Sequence, residues 1–185
     1  MLADQSSVGY SVAVLVVLVV FIMEAASADP GHAPIGSPIA FGTPAREVVI
    51  KQYDHYFEPS TVTVMPREKI VFVITNRGTS VHEFMIGTTM MHRKHQQELQ
   101  AMVDQKLIHN DHLDHEKLTD PLHSERPLSN RHHYDLSSAL LEPGETKTLP
   151  WQFPHTGTIQ FACNMPGHYQ AGMVGDFQFD VSKEN

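Results

Sequence analysis

The segment Phe161-Ala-Cys-Asn-Met-Pro-Gly-His-Tyr-Gln-Ala-Gly-Met173 is the most informative part of this chain. It places the only cysteine, a histidine and a methionine at five-residue intervals, as Cys163, His168 and Met173. Thiolate and thioether sulfur favour Cu(I), whereas imidazole suits both Cu(I) and Cu(II). The segment therefore carries three of the four donors of a blue-copper site and lacks only a second imidazole.

His82, in the segment Ser80-Val-His-Glu-Phe84, is the candidate for that second imidazole. A lone cysteine is more often a small buried hydrophobe, and a lone histidine or methionine is more often structural. Three such donors in one glycine- and proline-containing turn favour ligation instead. Pro166-Gly167 lets the chain reverse, so that Cys163 and His168 can face one ion, and Gly172 leaves room for the methionine.

Short β-type runs separated by turn residues occupy most of the chain from Arg46 onward. No alternation of strands with helices of a βαβ kind is visible, so the sequence predicts an all-β, antiparallel Greek-key sandwich or barrel. Loops that converge at one end of such a sandwich would bring His82 to the cysteine segment. The predicted strands are 47–54, 60–65, 68–76, 81–87, 146–153, 158–163 and 175–181.

A long insertion at about 88–137 interrupts the strands and contains eight of the 13 histidines. Residues 92–118 have a helical pattern with an apolar stripe. Spacings of three residues on a helix place imidazoles on one face, where two could share a metal ion. The alternative is a helix with polar histidines on its solvent-exposed face. The candidate secondary ligands are His92, His95, His109, His112 and His115.

Residues 1–28 have the pattern of an export signal. An almost unbroken apolar run ends near Met23, and Ala26-Ser-Ala28 is a small-residue cleavage site. We therefore expect a periplasmic protein cleaved after Ala28, with a flexible segment at 29–45, and a membrane association only if the signal is retained. The formal net charge is −8 and no basic stripe is present, which argues against nucleic acid as a partner.

The motif Cys163-Asn-Met-Pro-Gly-His168, followed by Gly172-Met173, resembles that of the cupredoxins, in particular small bacterial periplasmic cupredoxins associated with copper tolerance. Asn76-X-Gly-X-X-X-His82-Glu-Phe84 matches upstream. The resemblance covers about 46–87 and 138–181, and it implies a cupredoxin domain at 46–185. It also implies one type 1 copper in a Greek-key β-sandwich. The ligands that it implies are His82, Cys163, His168 and Met173. The insertion departs from the family pattern, because it is longer and richer in histidine than methionine.

Several copper enzymes contain such a site, but their further requirements are missing. Multicopper oxidases use histidines beside the copper cysteine, where this chain has Ala162 and Asn164. A nitrite reductase needs a second copper site and a second domain, and a binuclear purple-copper site needs two cysteines. We therefore expect a copper-binding or electron-transfer protein rather than an enzyme, with cuprous oxidation as the weaker enzymatic alternative.

Two functions then remain. The first is periplasmic copper tolerance, in which the protein binds copper, cycles it between Cu(I) and Cu(II), and binds additional ions in the insertion. The second is an electron-transfer shuttle between periplasmic redox partners, which would expose His168 in an apolar patch beside Pro166, Tyr169 and Ala171. A shuttle needs no histidine-rich insertion, so the sequence favours copper handling. The expected partners are copper ions and a periplasmic redox or copper-handling protein.

Overall fold

Two five-stranded sheets face each other in the computed structural model, which describes residues 35–119 and 136–183. The first sheet has the order β1-β8-β5-β2-β3 and the second β4-β10-β9-β6-β7. The strands are β1 Ser37–Pro38, β2 Arg46–Tyr53, β3 Tyr56–Glu58, β4 Thr61–Val64, β5 Lys69–Asn76, β6 His82–Gly87, β7 Ser138–Leu141, β8 Thr146–Gln152, β9 Gln160–Ala162 and β10 Val174–Phe179. The all-β sandwich that the sequence predicts is confirmed.

Alternating apolar residues explain why these segments form strands that cover a core. In β5, Ile70, Phe72 and Ile74 are fully buried, while the residues between them face outward or are half-buried. Between the sheets, phenylalanine rings pack edge-to-face, as between Phe57 and Phe161 at 5.1 Å. Cys163 belongs to the same buried cluster, so the cysteine segment is anchored on the core.

Pairing is antiparallel except at two places, which corrects the expectation of a purely antiparallel sandwich. β2 runs parallel to β5, and β4 runs parallel to β10. The two strands of each parallel pair are not consecutive in the chain. Between them the chain crosses to the other sheet and returns. This crossing pattern places β6 and β9, which flank the predicted ligands, side by side.

Three strands have no counterpart among the predicted ones, namely β1, β3 and β7. Each has two to four residues, which is too short for a periodic pattern to stand out. β1 lies within the segment 29–45 and pairs with β8, and Trp151 Nε1 donates a hydrogen bond to the Ile35 carbonyl at 3.0 Å. The export signal at 1–28 lies outside the described residues, as do His32, His123, His132 and His133.

The insertion forms two helices, α1 Thr89–Asp104 and α2 His115–Thr119, rather than one helix over 92–118. Thr88 caps α1 by accepting a hydrogen bond from the Met91 N–H at 3.3 Å. The helix ends because Lys106 adopts a left-handed φ of 57° and the Leu107 N–H turns back to the Met102 carbonyl. Leu107 and Ile108 are then buried in a loop instead of continuing the stripe. Neither helix in the described part of the chain is long and apolar enough to cross a membrane.

Candidate metal centre

Backbone hydrogen bonds fold the segment after β9 so that its three donor residues meet. The Cys163 N–H donates to the Met173 carbonyl at 3.1 Å, and the Met173 N–H donates to the His168 carbonyl at 3.0 Å. The His168 N–H donates to the Met165 carbonyl, which closes a turn around Gly167, whose φ is 83°. β6 pairs with β9, so His82 at the start of β6 lies beside this turn.

The donor atoms of three predicted ligands converge. Cys163 Sγ lies 3.4 Å from His168 Nδ1 and 3.9 Å from His82 Nδ1, and all three atoms lie within 4.8 Å of one another. With zinc-like bonds of about 2.3 Å to sulfur and 2.0 Å to nitrogen, a trigonal ion separates its sulfur and nitrogen ligands by about 3.7 Å. The observed distances bracket that value, so the residues fit a type 1 copper ion. His82, Cys163 and Met173 are fully buried, and His168 is partly exposed.

Burial sets the protonation of the site. It raises the pKa of Cys163 to about 12, against the opposing hydrogen bonds from the N–H groups of Glu83 and Met165. The free thiol therefore keeps its proton at neutral pH, and metal binding must displace it. Burial lowers the pKa of His82, and it lowers that of His168 to about 4 with help from neighbouring imidazoles. Both rings are neutral and can offer a lone pair to a metal ion.

Asp54, which the sequence did not indicate, orients the buried imidazole of His82. Its carboxylate lies 3.0 Å from His82 Nε2, which leaves Nδ1 directed at the cysteine sulfur. Burial alone would raise the pKa of Asp54, but hydrogen bonds from Thr79 and His82 lower it to about 2. Gly78 permits this approach, because a Cβ there would lie 2.6 Å from His82 Nε2. His55, exposed and with a φ of 72°, places its ring 5.2 Å from that of His168.

The secondary candidates are not brought together in one place. His92 and His95 share the buried side of α1, and both ring nitrogens of His95 are bonded to carboxylates. His109 and His112 lie in the loop after α1 with their rings stacked at 4.3 Å, rather than on a helix as predicted. His115 begins α2. Metal binding by these histidines stays a prediction, and among the described residues only the His82, Cys163 and His168 group has three convergent ligands.

Two further residues were missed by sequence reasoning as parts of the site. Glu83 is fully buried although it is charged, and its N–H donates to Cys163 Sγ at 3.3 Å. Asn164 is fully buried and donates to the Glu83 carboxylate at 2.8 Å. The sequence feature that could have indicated Glu83 is its position, since it is an acidic residue directly after the predicted ligand His82 and before the apolar residues of β6. A buried charge requires partners, and such partners are found only in the folded chain.

Comparison with known proteins agrees with this geometry. A family model described as copper binding proteins of the plastocyanin/azurin family matches residues 45–180. The copper-resistant cuproprotein CopI of Pseudomonas aeruginosa is 35% identical over 165 residues, which cover 87% of this chain and 91% of that protein. CopI of Rubrivivax gelatinosus is 32% identical over 151 residues, covering 81% of this chain and 76% of that protein.

Among solved structures, auracyanin B is similar with a TM-score of 0.57 at 20% identity, covering 80% of this chain and 99% of that one. This likeness supports the sandwich fold. The family model spans most of the chain, and His82, Cys163, His168 and Met173 are arranged like a type 1 copper site. The chain therefore belongs to the plastocyanin/azurin family of copper-binding proteins, the cupredoxins, and its cofactor is copper.

Proposed function

We propose that this protein is an exported copper-tolerance cupredoxin that acts in the periplasm and is not an enzyme. It holds one type 1 copper ion through His82, Cys163, His168 and Met173. The observation that carries this proposal is the convergence of the Cys163 sulfur and two imidazole Nδ1 atoms, at 3.4 and 3.9 Å from that sulfur. Bound copper would supply a one-electron Cu(I)/Cu(II) couple.

The roles of the four residues follow from their placement. Cys163 gives up its proton and becomes the thiolate donor, held by the core and by the Glu83 N–H. His82 is fixed from behind by Asp54, while His168 closes the site from the partly exposed side. Met173, buried and tied by its backbone to Cys163 and His168, would supply the thioether ligand. Together these donors would suit copper in both oxidation states, because sulfur favours Cu(I) and imidazole binds either state.

Tolerance is favoured over other uses of the site for two reasons. Similar proteins of Pseudomonas aeruginosa, Rubrivivax gelatinosus and Vibrio cholerae are each named copper-resistant cuproprotein. The insertion also carries histidines at its surface, and we propose weaker additional copper binding after α1, by His109 and His112 in the loop and His115 at the start of α2. We further propose that residues 1–28 are the export signal and that the cupredoxin domain spans 46–185, with the segment 29–45 adding the short strand β1 to its first sheet.

The alternative function is an electron shuttle. It is supported by the partly exposed His168 beside the exposed residues Gly167 and Ala171, a surface suited to transient docking. Against it, α1 lies along one flank of the same segment, since Gln170 Nε2 donates to Gln96 Oε1 at 2.8 Å. The docking surface is therefore narrowed by the insertion.

Deleting the gene in its host separates the two functions. We expect a strain that is sensitive to copper and has normal respiratory or photosynthetic electron flow. Complementation with the wild-type gene should restore growth on copper, and complementation with the Cys163→Ser variant should not. Normal copper resistance together with impaired electron flow would instead support the shuttle and overturn the tolerance function.

A further inference from the structure

We propose that the insertion helix α1 is part of the copper centre, because His95 acts through Glu83 as a positioning residue for the Cys163 thiolate. In this role His95 sets the reduction potential of the copper. The inference rests on the proposed ligand set but goes beyond it. It assigns a function in the metal centre to a helix that contains none of the four ligands and lies outside both ligand-bearing segments.

Glu83 joins three separate parts of the chain in the interior. It follows His82 directly in β6, and its N–H donates to Cys163 Sγ at 3.3 Å. One carboxylate oxygen lies 2.7 Å from His95 Nε2 of α1. The other accepts hydrogen bonds from the side chain and the backbone N–H of Asn164, the residue after the cysteine, at 2.8 and 3.3 Å. The orientation of Glu83 therefore depends on α1 as well as on β6 and on the segment that follows β9.

His95 is the cationic partner of this buried carboxylate. Its side chain is 8% exposed and that of Glu83 is 1% exposed, so neither charge is solvated. The second ring nitrogen of His95 lies 2.9 Å from the Glu98 carboxylate. A ring that donates to two carboxylates must carry both protons and hence a positive charge. A buried carboxylate without such a partner would be strongly unfavourable, so Glu83 would turn away from its present position.

The same network extends further along α1. Asn164 Nδ2 also lies 3.2 Å from His92 Nδ1 and 3.2 Å from Met85 Sδ. His92 is fully buried, and its ring lies 5.9 Å from that of Tyr169 in the ligand segment. Two histidines one turn apart on α1 thus contact the residues that follow the ligands His82 and Cys163. The spacing of three residues places both imidazoles in one buried hydrogen-bond network.

Hydrogen bonds to a copper-bound sulfur tune the reduction potential, because they withdraw electron density from the thiolate. When the Glu83 N–H is held against Cys163, the thiolate donates less strongly and Cu(I) is favoured. Loss of the His95 cation should weaken the hydrogen bond from the Glu83 N–H to Cys163 Sγ, and it should leave the negative charge of Glu83 uncompensated. Both effects favour Cu(II), so the reduction potential should fall.

The test compares copper-loaded variants by potentiometric titration and by the energy of the thiolate-to-copper absorption band. We expect His95→Gln to keep one copper ion but to favour Cu(II) over Cu(I) about tenfold more than the wild type does, a fall of about 59 mV for one electron. The band should shift as well. His155→Gln is the matched control, since it makes the same substitution at an exposed position outside the insertion and outside the proposed copper sites. It should leave both readouts unchanged.

The double variant Glu83→Gln with His95→Gln tests whether the effect of His95 on the copper is transmitted through Glu83. It replaces the ion pair by two neutral amides that can still hydrogen-bond, and we expect it to recover most of the lost potential. The proposal would be overturned if His95→Gln had the same reduction potential and absorption band as the wild type. It would also be overturned if the double variant had a reduction potential as low as that of His95→Gln. If His95→Gln does not fold, Glu98→Gln loosens the same ring from the surface, and an unchanged band there would overturn the proposal.

Failure of the proposed ligand set would look different. The wild-type protein itself would then bind no copper with an intense thiolate-to-copper band, and Cys163→Ser would change nothing. A normal wild-type band with an unresponsive His95→Gln variant would leave the ligand set intact and reject only the role of α1.

Discussion

The buried pair of His95 and Glu83 predicts how the stability of the copper-free protein depends on pH. Burial would lower the pKa of His95, but the carboxylates of Glu83 and Glu98 outweigh it and raise this pKa to about 9, from 6.5. Below about pH 6.5 the imidazole is protonated in both the folded and unfolded states, so the pair contributes in full. Between about pH 6.5 and 9 only the folded state keeps the proton, so stability falls as the pH rises.

The magnitude follows from the width of that window. Each pH unit is worth about 1.4 kcal/mol for one proton, so the loss is roughly 3 kcal/mol between pH 6.5 and 9. The groups that face His95 include Glu83 from β6, and Glu98 and His92 from α1. Burial lowers the pKa of His92 to about 4, which affects stability below the window rather than within it.

Urea unfolding of the reduced, copper-free protein at pH 6, 7, 8 and 9 measures this effect. We expect the free energy of unfolding of the wild type to fall steadily over the series. His95→Gln should be less stable at pH 6 and should lack most of the slope, whereas His112→Gln should keep it. Equal slopes in the wild type and His95→Gln would refute the reasoning, because another group would then be responsible for the pH dependence.

Four further outcomes are expected. Cys163→Ser should abolish the intense visible absorption of the copper-loaded protein, and a retained band would contradict the thiolate assignment. Asp54→Ala should weaken copper binding about 10- to 100-fold in a chelator competition, whereas Glu58→Ala, at an exposed position nearby, should not. Leu99→Ala, 1% exposed in α1, should lower the free energy of unfolding by about 2–5 kcal/mol. Met90→Ala on the same helix, 61% exposed, is its control, and equal losses would speak against a packed α1. Replacing the three histidines His109, His112 and His115 by glutamine should reduce the number of copper ions bound per chain without changing the visible band, and an unchanged number would exclude the loop as a binding site.

The sequence predicts a strand correctly where the alternation of apolar and polar residues lies within one short segment. β5 was predicted at 68–76 and is found at Lys69–Asn76, because alternation of apolar residues directly reports a half-buried strand. The insertion was less predictable. Its apolar stripe continues past residue 104, but Leu107 and Ile108 are buried by a loop that turns at Lys106. Periodicity could not distinguish burial by a helix from burial by a returning loop.

The amino-acid sequence by itself determined the metal and the family, because thiolate, thioether and imidazole donors with glycine-permitted turns lie within thirteen consecutive residues. Tertiary structure alone decided what surrounds those donors. Asp54 reaches His82 across 28 positions, and Glu83 reaches Asn164 across 81. The buried members of these pairs need such partners, since a carboxylate or imidazole removed from water must be paired or neutral. Such pairings depend on which strands and helices become neighbours, and so the copper centre of this protein includes a helix that no motif connects to it.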